Sequence, residues 1–359
     1  MKRRKCREIK IGKVKIGNDN PVAVQSMAKT VTSNLSATLR EIKELEDSGC
    51  QIVRVAVRNN KDAATLKKIK QRIAIPLVAD IHFDKNLAIK AIDSGVDKIR
   101  LNPGNIYKKN EIQEIAKAAK QARIPIRVGV NSGSVIRYPL PATRSKNIAP
   151  LMVKCALDYI KILESLGFYD IVVSIKGSDI FTTIQTNESI AKSCNYPLHL
   201  GITATGPSSI GIIKSAVVVG RLLSEGIGDT IRISLTDRAV REVEAAYYIL
   251  EALGLARSKP EIISCPTCGR CEVDLVKIVK EFDKRLNTVN CQPLTVNSQP
   301  PRVAIMGCVV NGPGEARIAD LGVAFGKKEG LLFRKGRPIR KVSAQKCVDA
   351  LLNELKAMG

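Results

Sequence analysis

Tryptophan is absent from this 359-residue chain, and aromatic residues make up only 4% of it. That shortage leaves few of the stacking platforms on which single-stranded nucleic acid is held. Histidine is almost missing too, with His82 and His199 as the only two, so a metal site built on imidazoles has little to draw on. No run approaches the ~20 consecutive apolar residues that cross a bilayer. The basic opening MKRRKCREIK leads into IGKVKIGNDNP rather than into the apolar core of an export signal. A cytoplasmic protein without membrane attachment is therefore expected. Its ten cysteines then fit thiols kept reduced. Cys50, Cys155 and Cys347 sit singly in apolar or helical patterns and read as inert buried residues.

Negative charge is scarce as well. Against 58 Lys and Arg stand 34 Asp and Glu, a formal net charge of +24. Such an excess favours an anionic partner. Much of it lies in segments such as KDAATLKKIKQR and KKNEIQEIAKAAKQAR, where a solvated helix face accounts for it. Net charge alone selects no partner.

Short β-branched runs, by contrast, are plentiful. Eight occur in order: VAVQSM (22–27), IVRVAV (52–57), LVADIH (77–82), KIRLN (98–102), IRVGVN (126–131), IVVSIK (171–176), LHLGIT (198–203) and TIRISL (230–235). Helical patterns separate most of them, and SATLREIKELEDSG and NLAIKAIDSG each close on a glycine, as a helix C-terminus prefers. Eight strand–helix alternations within ~250 residues give the rhythm of an α/β fold, the (β/α)8 TIM-type barrel. A doubly wound open sheet is the alternative, but no G-x-G-x-x-G follows the first strand. The texture changes near Ser258, so a barrel over residues 1–257 and a smaller α+β domain over 258–359 are expected. The latter carries strands in RVAIMGCVV, LGVAFG and GLLFRKG, a helix at 273–286, and a terminal helix in SAQKCVDALLNELKAMG.

Arg54, Arg100, Arg127, Lys176 and Arg232 interrupt strands otherwise built for burial. Residues an even number apart share a strand face, which aligns Arg127 with Asn131, Ser174 with Lys176, and Arg232 with Ser234. The acidic residues of the eight runs reduce to Asp80. A buried unpaired charge costs several kcal/mol, so five would exceed a typical domain stability of ~5–15 kcal/mol. Either these cations face outward to water and helix carboxylates, or they converge on an anion at the C-terminal mouth, where barrel active sites lie. Each contributes about 4 kcal/mol of attraction to a phosphate oxygen at ~4 Å with an effective dielectric of ~20, and several together suit a diphosphate. His82 and His199 also end strands, where a satisfied core histidine is the ordinary outcome.

SCPTCGRCE (264–272) places Cys265, Cys268 and Cys271 within seven positions. Cys265 and Cys268 form a C-x-x-C pair able to grip one metal or cluster, and Cys308 in MGCVVNGPGEA is a third candidate among glycines. A structural zinc wants four closed ligands, with Cys271 or Cys291 as the fourth. A disulfide across the pair would be redox-active and lacks a thioredoxin-like setting. An iron–sulfur cluster uses cysteine ligands at such positions, and three with a weaker fourth would leave one iron open.

SCPTCGR followed by GCVVNGPGEA resembles the C-terminal domain of the 4-hydroxy-3-methylbut-2-enyl diphosphate synthases. VQSM, ADIHF, KIRLNPGNI, IRVGVNSGS, VSIKGSD, PLHLGIT and LLSEGIGDTIRISL resemble that family's barrel in the same order, over nearly the whole chain. The length is similar to that of the two-domain bacterial form. The resemblance implies a 4Fe–4S cluster held by Cys265, Cys268, Cys308 and the Glu315 carboxylate, with Cys271 a bystander. It implies reductive ring opening and dehydration of 2-C-methyl-D-erythritol 2,4-cyclodiphosphate to (E)-4-hydroxy-3-methylbut-2-enyl diphosphate, in the non-mevalonate route to isoprenoids. Electrons would come from flavodoxin or ferredoxin. By the same resemblance Arg54, Arg100, Arg127, Asn131, Lys176, Arg232 and Ser234 bind the diphosphate, and Asn311 and Glu315 are catalytic. A homodimer is implied, in which the cluster domain of one protomer closes on the barrel of its partner.

Two departures stand out. The family usually has T-E-A-G after the seventh strand, its Glu a candidate proton donor, whereas this chain reads TATG with Ala204 in that place. SMAKT stands where S-M-T-N-T is usual. General acid–base help is worth roughly 10²–10⁴-fold, so reduced but not abolished activity is expected unless a neighbouring carboxylate, a cluster-bound water, Thr203 or Thr205 compensates. Two alternatives remain at this level: a catalytically weakened family member, and a zinc-bearing nucleic-acid-binding protein.

Overall fold

Strands buried on both faces read as continuous apolar runs rather than alternating ones, and that is what the eight runs become. The computed structural model describes residues 2–135, 148–256, 260–286, 301–310, 314, 318–327 and 329–358. They form two compact units, Met1–Leu255 and Ala256–Gly359.

The first unit opens with a hairpin, β1 (Ile9–Ile11) and β2 (Val14–Ile16). Eight parallel strands follow: β3 (Ala23–Met27), β4 (Ile52–Val57), β5 (Leu77–Ile81), β6 (Lys98–Leu101), β7 (Ile126–Asn131), β8 (Ile171–Lys176), β9 (His199–Leu200) and β10 (Thr230–Ile231). They pair in the order β8-β7-β6-β5-β4-β3-β10-β9. A parallel bridge from Val173 to Leu198 joins β8 to β9 and closes the ring. The barrel is therefore the observed fold rather than the open sheet. Between the strands run α1 (Leu35–Asp47), α2 (Asn60–Lys70), α3 (Lys85–Asp93), α4 (Lys109–Ala122), the short α5 (Ser132–Val135), α6 (Ala149–Ser165), α7 (Ile180–Ser193), α8 (Ser208–Ser224) and α9 (Ala239–Ala252). The starts of α1, α2, α3 and α7 are set by side-chain caps, Asn34, Asn59, Asp84 and Asp179 each accepting a first-turn backbone N–H. Gly49 and Gly95, with φ of +91° and +82°, turn the chain off α1 and α3 as the sequence predicts.

β9 and β10 are only two residues long, shorter than the runs at 198–203 and 230–235. Gly201 explains the first: a Cβ there would stand 2.4 Å from the Arg232 carbonyl oxygen and 2.7 Å from Lys176 Nζ. Arg232 and Ser234 consequently lie just past the end of β10.

Register fixes what faces inward. Asp80 pairs with Arg100, and Arg100 with Arg127. Gly129 pairs with Ser174, and Asn131 with Lys176. Ile9, Ile11 and Ile16 of the hairpin pack with Ala23, Ile52, Val78 and Val172 in one buried cluster. These last four lie at or near the N-terminal ends of their strands, so the hairpin plugs that end of the barrel with hydrocarbon. Polar side chains fill the interior above it.

The second unit is a five-stranded sheet in the order β11 (Glu261–Ser264), β12 (Arg302–Met306), β13 (Leu321–Phe325), β14 (Glu329–Arg334) and β15 (Arg337–Ser343). β11 to β13 are parallel and β13 to β15 antiparallel. Helices α10 (Leu275–Leu286) and α11 (Cys347–Lys356) contribute Ile278, Phe282 and Leu351 to a core shared with Val303, Val323 and Phe325.

Candidate active site

Five of the strand cations expected from sequence meet at the barrel. Arg54, Arg100, Arg127 and Lys176 are buried, with Arg127 only 1% exposed. The reading in which they face outward to helix carboxylates is thereby overturned for these four. Asp80 serves the three arginines: its Oδ1 is 3.1 Å from Arg100 Nη1, its Oδ2 is 3.7 Å from Arg54 Nε, and Arg127 lies within its field. Burial opposes its ionisation, but the charges of Arg100, Arg54 and Arg127 outweigh that and hold its carboxyl below the usual range. Arg54 also directs Nε and Nη2 at Met27 Sδ, at 3.2 and 2.9 Å. Burial and the neighbouring cations Arg232 and Arg100 bring its pKa down to about 10, partly offset by Asp80.

Arg127 finds less. Its Nε and Nη1 are buried without a hydrogen-bond partner, and burial with its cationic neighbours pulls its pKa well below the ordinary arginine value. Arg100 donates to the Gly129 carbonyl at 2.9 Å. The glycine is required there, since a Cβ would stand 2.4 Å from Arg100 Nε. Lys176 Nζ is 3.3 Å from His199 Nε2, and His199 Nδ1 is 2.8 Å from Thr230 Oγ1. Burial and then Lys176 push the imidazole pKa far down, so a neutral ring accepts from Lys176 and donates to Thr230. His199 is the satisfied core histidine that the sequence suggests.

Arg232 leans on a carboxylate no strand pattern reveals. Glu242 on α9 is 2% exposed. It receives Arg232 Nη2 at 3.3 Å, Lys29 Nζ at 3.0 Å and the Leu235 N–H at 3.0 Å. Arg232 Nε and Ser234 Oγ stay buried and unpartnered. A cavity of about 480 Å³ opens here, lined among others by Lys29, Ala204, Thr205, Arg232, Ser234 and Asp237. Ala204 holds φ at +54°, a left-handed conformation costing an alanine roughly 1 kcal/mol. Asn131 is half-buried beside Lys176 in the β7–β8 register.

Lys98 escaped the sequence reading. It is fully buried, with Nζ 3.3 Å from Gln25 Oε1. Its signal was present, since it stands two positions before Arg100 and therefore on the same face. Glu242 and Lys29, on a helix and a loop, carry no such periodic mark.

In the second unit Cys265 follows β11 and Cys308 follows β12, neighbouring parallel strands that end on one side of the sheet. The Gly307 N–H donates to Cys265 Sγ at 3.3 Å, the kind of bond to sulfur that tunes an iron–sulfur ligand. Cys268 is exposed in the connecting loop. Cys271 is instead a packing residue: its Sγ donates to the Val273 carbonyl at 3.2 Å and fills the space a Cβ on Gly307 would need. Asn311, Glu315 and Cys291 lie outside the described residues. Among the described residues no three His, Cys, Asp or Glu side chains gather in a metal-holding group. The donors nonetheless fit a cluster in kind: soft thiols leaving adjacent strand ends, one already hydrogen-bonded at sulfur.

Residues 6–247 match the family description "GcpE TIM-barrel domain" and residues 261–357 match "GcpE protein C-terminal domain". A relative from Caldanaerobacter subterraneus subsp. tengcongensis is 48% identical over 357 residues, covering 99% of this chain and 98% of its own. Another, from Dehalococcoides mccartyi, is 49% identical over 356 residues, covering 99% of both. Each is named 4-hydroxy-3-methylbut-2-en-1-yl diphosphate synthase (flavodoxin). Among solved structures, a dihydropteroate synthase from Stenotrophomonas maltophilia aligns with a TM-score of 0.53 at 11% identity, over 69% of this chain and 98% of that one. One from Yersinia pestis gives 0.51 at 13%, over 69% and 99%. At such identity these two speak for the barrel fold alone. No helix among the described residues is long and apolar enough to cross a membrane.

Proposed function

The chain belongs to the 4-hydroxy-3-methylbut-2-en-1-yl diphosphate synthase (GcpE) family, and on that premise we propose that it reduces 2-C-methyl-D-erythritol 2,4-cyclodiphosphate to (E)-4-hydroxy-3-methylbut-2-enyl diphosphate with loss of water. The observation that carries this reading is Arg127, buried inside a closed barrel with two N–H groups lacking partners. A buried cation so placed is costly, and a bound diphosphate supplies the missing acceptors. Arg54, Arg100, Arg127, Lys176 and Arg232 hold the two phosphoryl groups, while Ser234 and Asn131 add neutral donors. Asp80 keeps the arginines oriented before substrate arrives. The same cations take up the negative charge that grows on the phosphate as its bond to carbon breaks. The hairpin plug keeps water from entering behind the ring.

Residues 258–359 form the cluster domain on this reading. Cys265, Cys268, Cys308 and Glu315 hold a 4Fe–4S cluster, which supplies electrons and a Lewis-acidic iron when bound. Asn311, in the GCVVNGPGEA motif, acts on the substrate by the same family resemblance. The donor is an acidic flavodoxin or ferredoxin, the working form is a homodimer, and the location is the cytoplasm.

The test is an anaerobic preparation, expected to be brown with about four iron and four sulfide per chain, to lose its iron on Cys265→Ser or Cys308→Ser but keep it on Cys271→Ser, and to consume the cyclic diphosphate with reduced flavodoxin. A colourless zinc protein, or one that binds the compound and never turns it over with reductant present, would overturn the reading.

A further inference from the structure

The two places where the sequence departs from its family's pattern, Lys29 in SMAKT and Ala204 in TATG, line one and the same cavity, together with Arg232, Ser234 and Asp237. Lys29 is held there on both sides. Its backbone N–H donates to both Glu41 carboxylate oxygens, at 3.0 and 2.9 Å. Its ammonium reaches the Leu235 carbonyl at 2.8 Å, Glu242 Oε1 at 3.0 Å and the Asp237 carbonyl. The side chain remains about one-third exposed, so solvent can replace a lost proton.

Of the other groups at or beside this cavity, the Ser234 hydroxyl has no partner but is an alcohol, far too weak an acid to protonate a leaving hydroxyl, and the rest are committed elsewhere. Thr203 Oγ1 donates to the Gly177 carbonyl at 2.9 Å, and Thr205 Oγ1 donates to the Ser234 carbonyl. Each hydroxyl has a single proton and spends it in that bond, whereas Lys29 has three N–H groups and keeps two acceptors when one is exchanged. The Asp237 carboxylate accepts from Ser208 and from the Arg238 N–H at 2.7 Å, which holds it below the usual carboxyl range and leaves it ionised, with no proton to give. Glu242 is clamped between Arg232 and Lys29 and also accepts from the Leu235 N–H, so its oxygens are engaged as acceptors. Arginine does not release its proton. Ala204 has none.

We propose that Lys29 is the proton donor of this cavity, serving the dehydration in place of the carboxyl that Ala204 lacks. This rests on the reaction assigned above. In that reaction two electrons from the reduced flavodoxin-type donor and one proton enter, the ring carbon–phosphate oxygen bond and one carbon–hydroxyl bond break, and a carbon–carbon double bond forms. The departing hydroxyl takes the Lys29 proton and leaves as water. Lys29 becomes a neutral amine and is reprotonated from solvent. To reach the hydroxyl it exchanges one of its two carbonyl acceptors for the substrate oxygen, while Glu242 holds the amine in place.

The experiment compares steady-state turnover by the iron-loaded full-length enzyme with calorimetric binding of the cyclic diphosphate in the absence of reductant. Lys29→Gln is expected to lower kcat roughly 10²–10⁴-fold while KM and the binding constant move less than about fivefold. Lys29→Arg keeps the charge and its acceptors but cannot release a proton, and is expected to be as slow. Adding Ala204→Glu to Lys29→Gln is expected to restore rate at least about tenfold by returning a carboxyl to the cavity. Turnover by Lys29→Gln within about twofold of the parent, or full activity in Lys29→Arg, overturns the assignment of Lys29 alone. A parent enzyme that binds but never consumes the compound overturns the functional reading, and the role of Lys29 with it.

Discussion

Arg127 and His199 show how single residues set stability against function. Arg127 leaves two N–H groups without protein partners at 1% exposure, so the attraction of Asp80 offsets only part of its desolvation. Arg127→Met keeps much of the volume and removes the charge. It is expected to raise unfolding stability by about 1–4 kcal/mol while lowering kcat/KM roughly 10²-fold or more, read by denaturant melts and steady-state kinetics on one preparation. His199 gives a pH signature. Its folded pKa lies well below 6.5 because of burial and Lys176, so its contribution to stability is whole above about pH 6.5 and is lost as pH falls through that value toward the folded pKa. Between about pH 6 and pH 5 it should account for up to about 1.4 kcal/mol of lost stability per unit. His199→Gln should flatten the profile over that range, and an identical slope in both proteins would refute the assignment. Asp80 behaves in the same sense but lower, its carboxyl being held under the usual range. Its contribution is therefore present throughout neutral pH and fades only in acid. The strand cations were readable one by one as misfits in apolar runs. Lys98 was readable by periodicity. Glu242 was not, because a glutamate in VREVEAAYY looks like any solvated helix position until α9 packs it under Arg232.

Among the elements, the β1–β2 hairpin is the one whose purpose only the fold discloses. IGKVKIG marks a turn between short β-branched stretches, and nothing in it announces a barrel stopper. Packed, Ile9, Ile11 and Ile16 are 3%, 0% and 0% exposed against the barrel floor. Ile11→Ala is expected to cost about 2–5 kcal/mol, measured by denaturant unfolding, and to do so without changing the iron content of the separate C-terminal unit. Equal loss of iron and stability would show that the two units unfold as one. β9 and β10 teach a related point. The runs at 198–203 and 230–235 look as strand-like as the other six, yet only His199–Leu200 and Thr230–Ile231 keep ladder bonds. Beyond them the backbone peels away, with Gly201 beneath Lys176, and that departure opens the cavity.

For the whole molecule, the net charge of +24 now divides into two populations. Among the described residues a few cations are spent inside the barrel, while many others lie on helix faces and on exposed strands such as β15, where Arg337, Arg340 and Lys341 are exposed. The inner set is shielded from salt and the outer set is not. Flavodoxin-driven turnover is therefore expected to show a donor KM that rises several-fold between about 0.05 and 0.5 M salt, while turnover driven by dithionite stays nearly flat. A donor KM insensitive to salt would remove electrostatic steering as the use of that surface. The sequence by itself determined the strand–helix alternation, the cysteine spacing and the cationic misfits, because each follows from local periodicity and residue chemistry. Tertiary structure decided that four of those cations turn inward, three of them around Asp80 and Lys176 against His199, that Glu242 and Lys29 come from outside the strands to join Arg232, and that Lys29 and Ala204, 175 positions apart, face one cavity. Burial and charge neutralisation depend on which distant segments meet when the ring closes, and no local pattern carries that information.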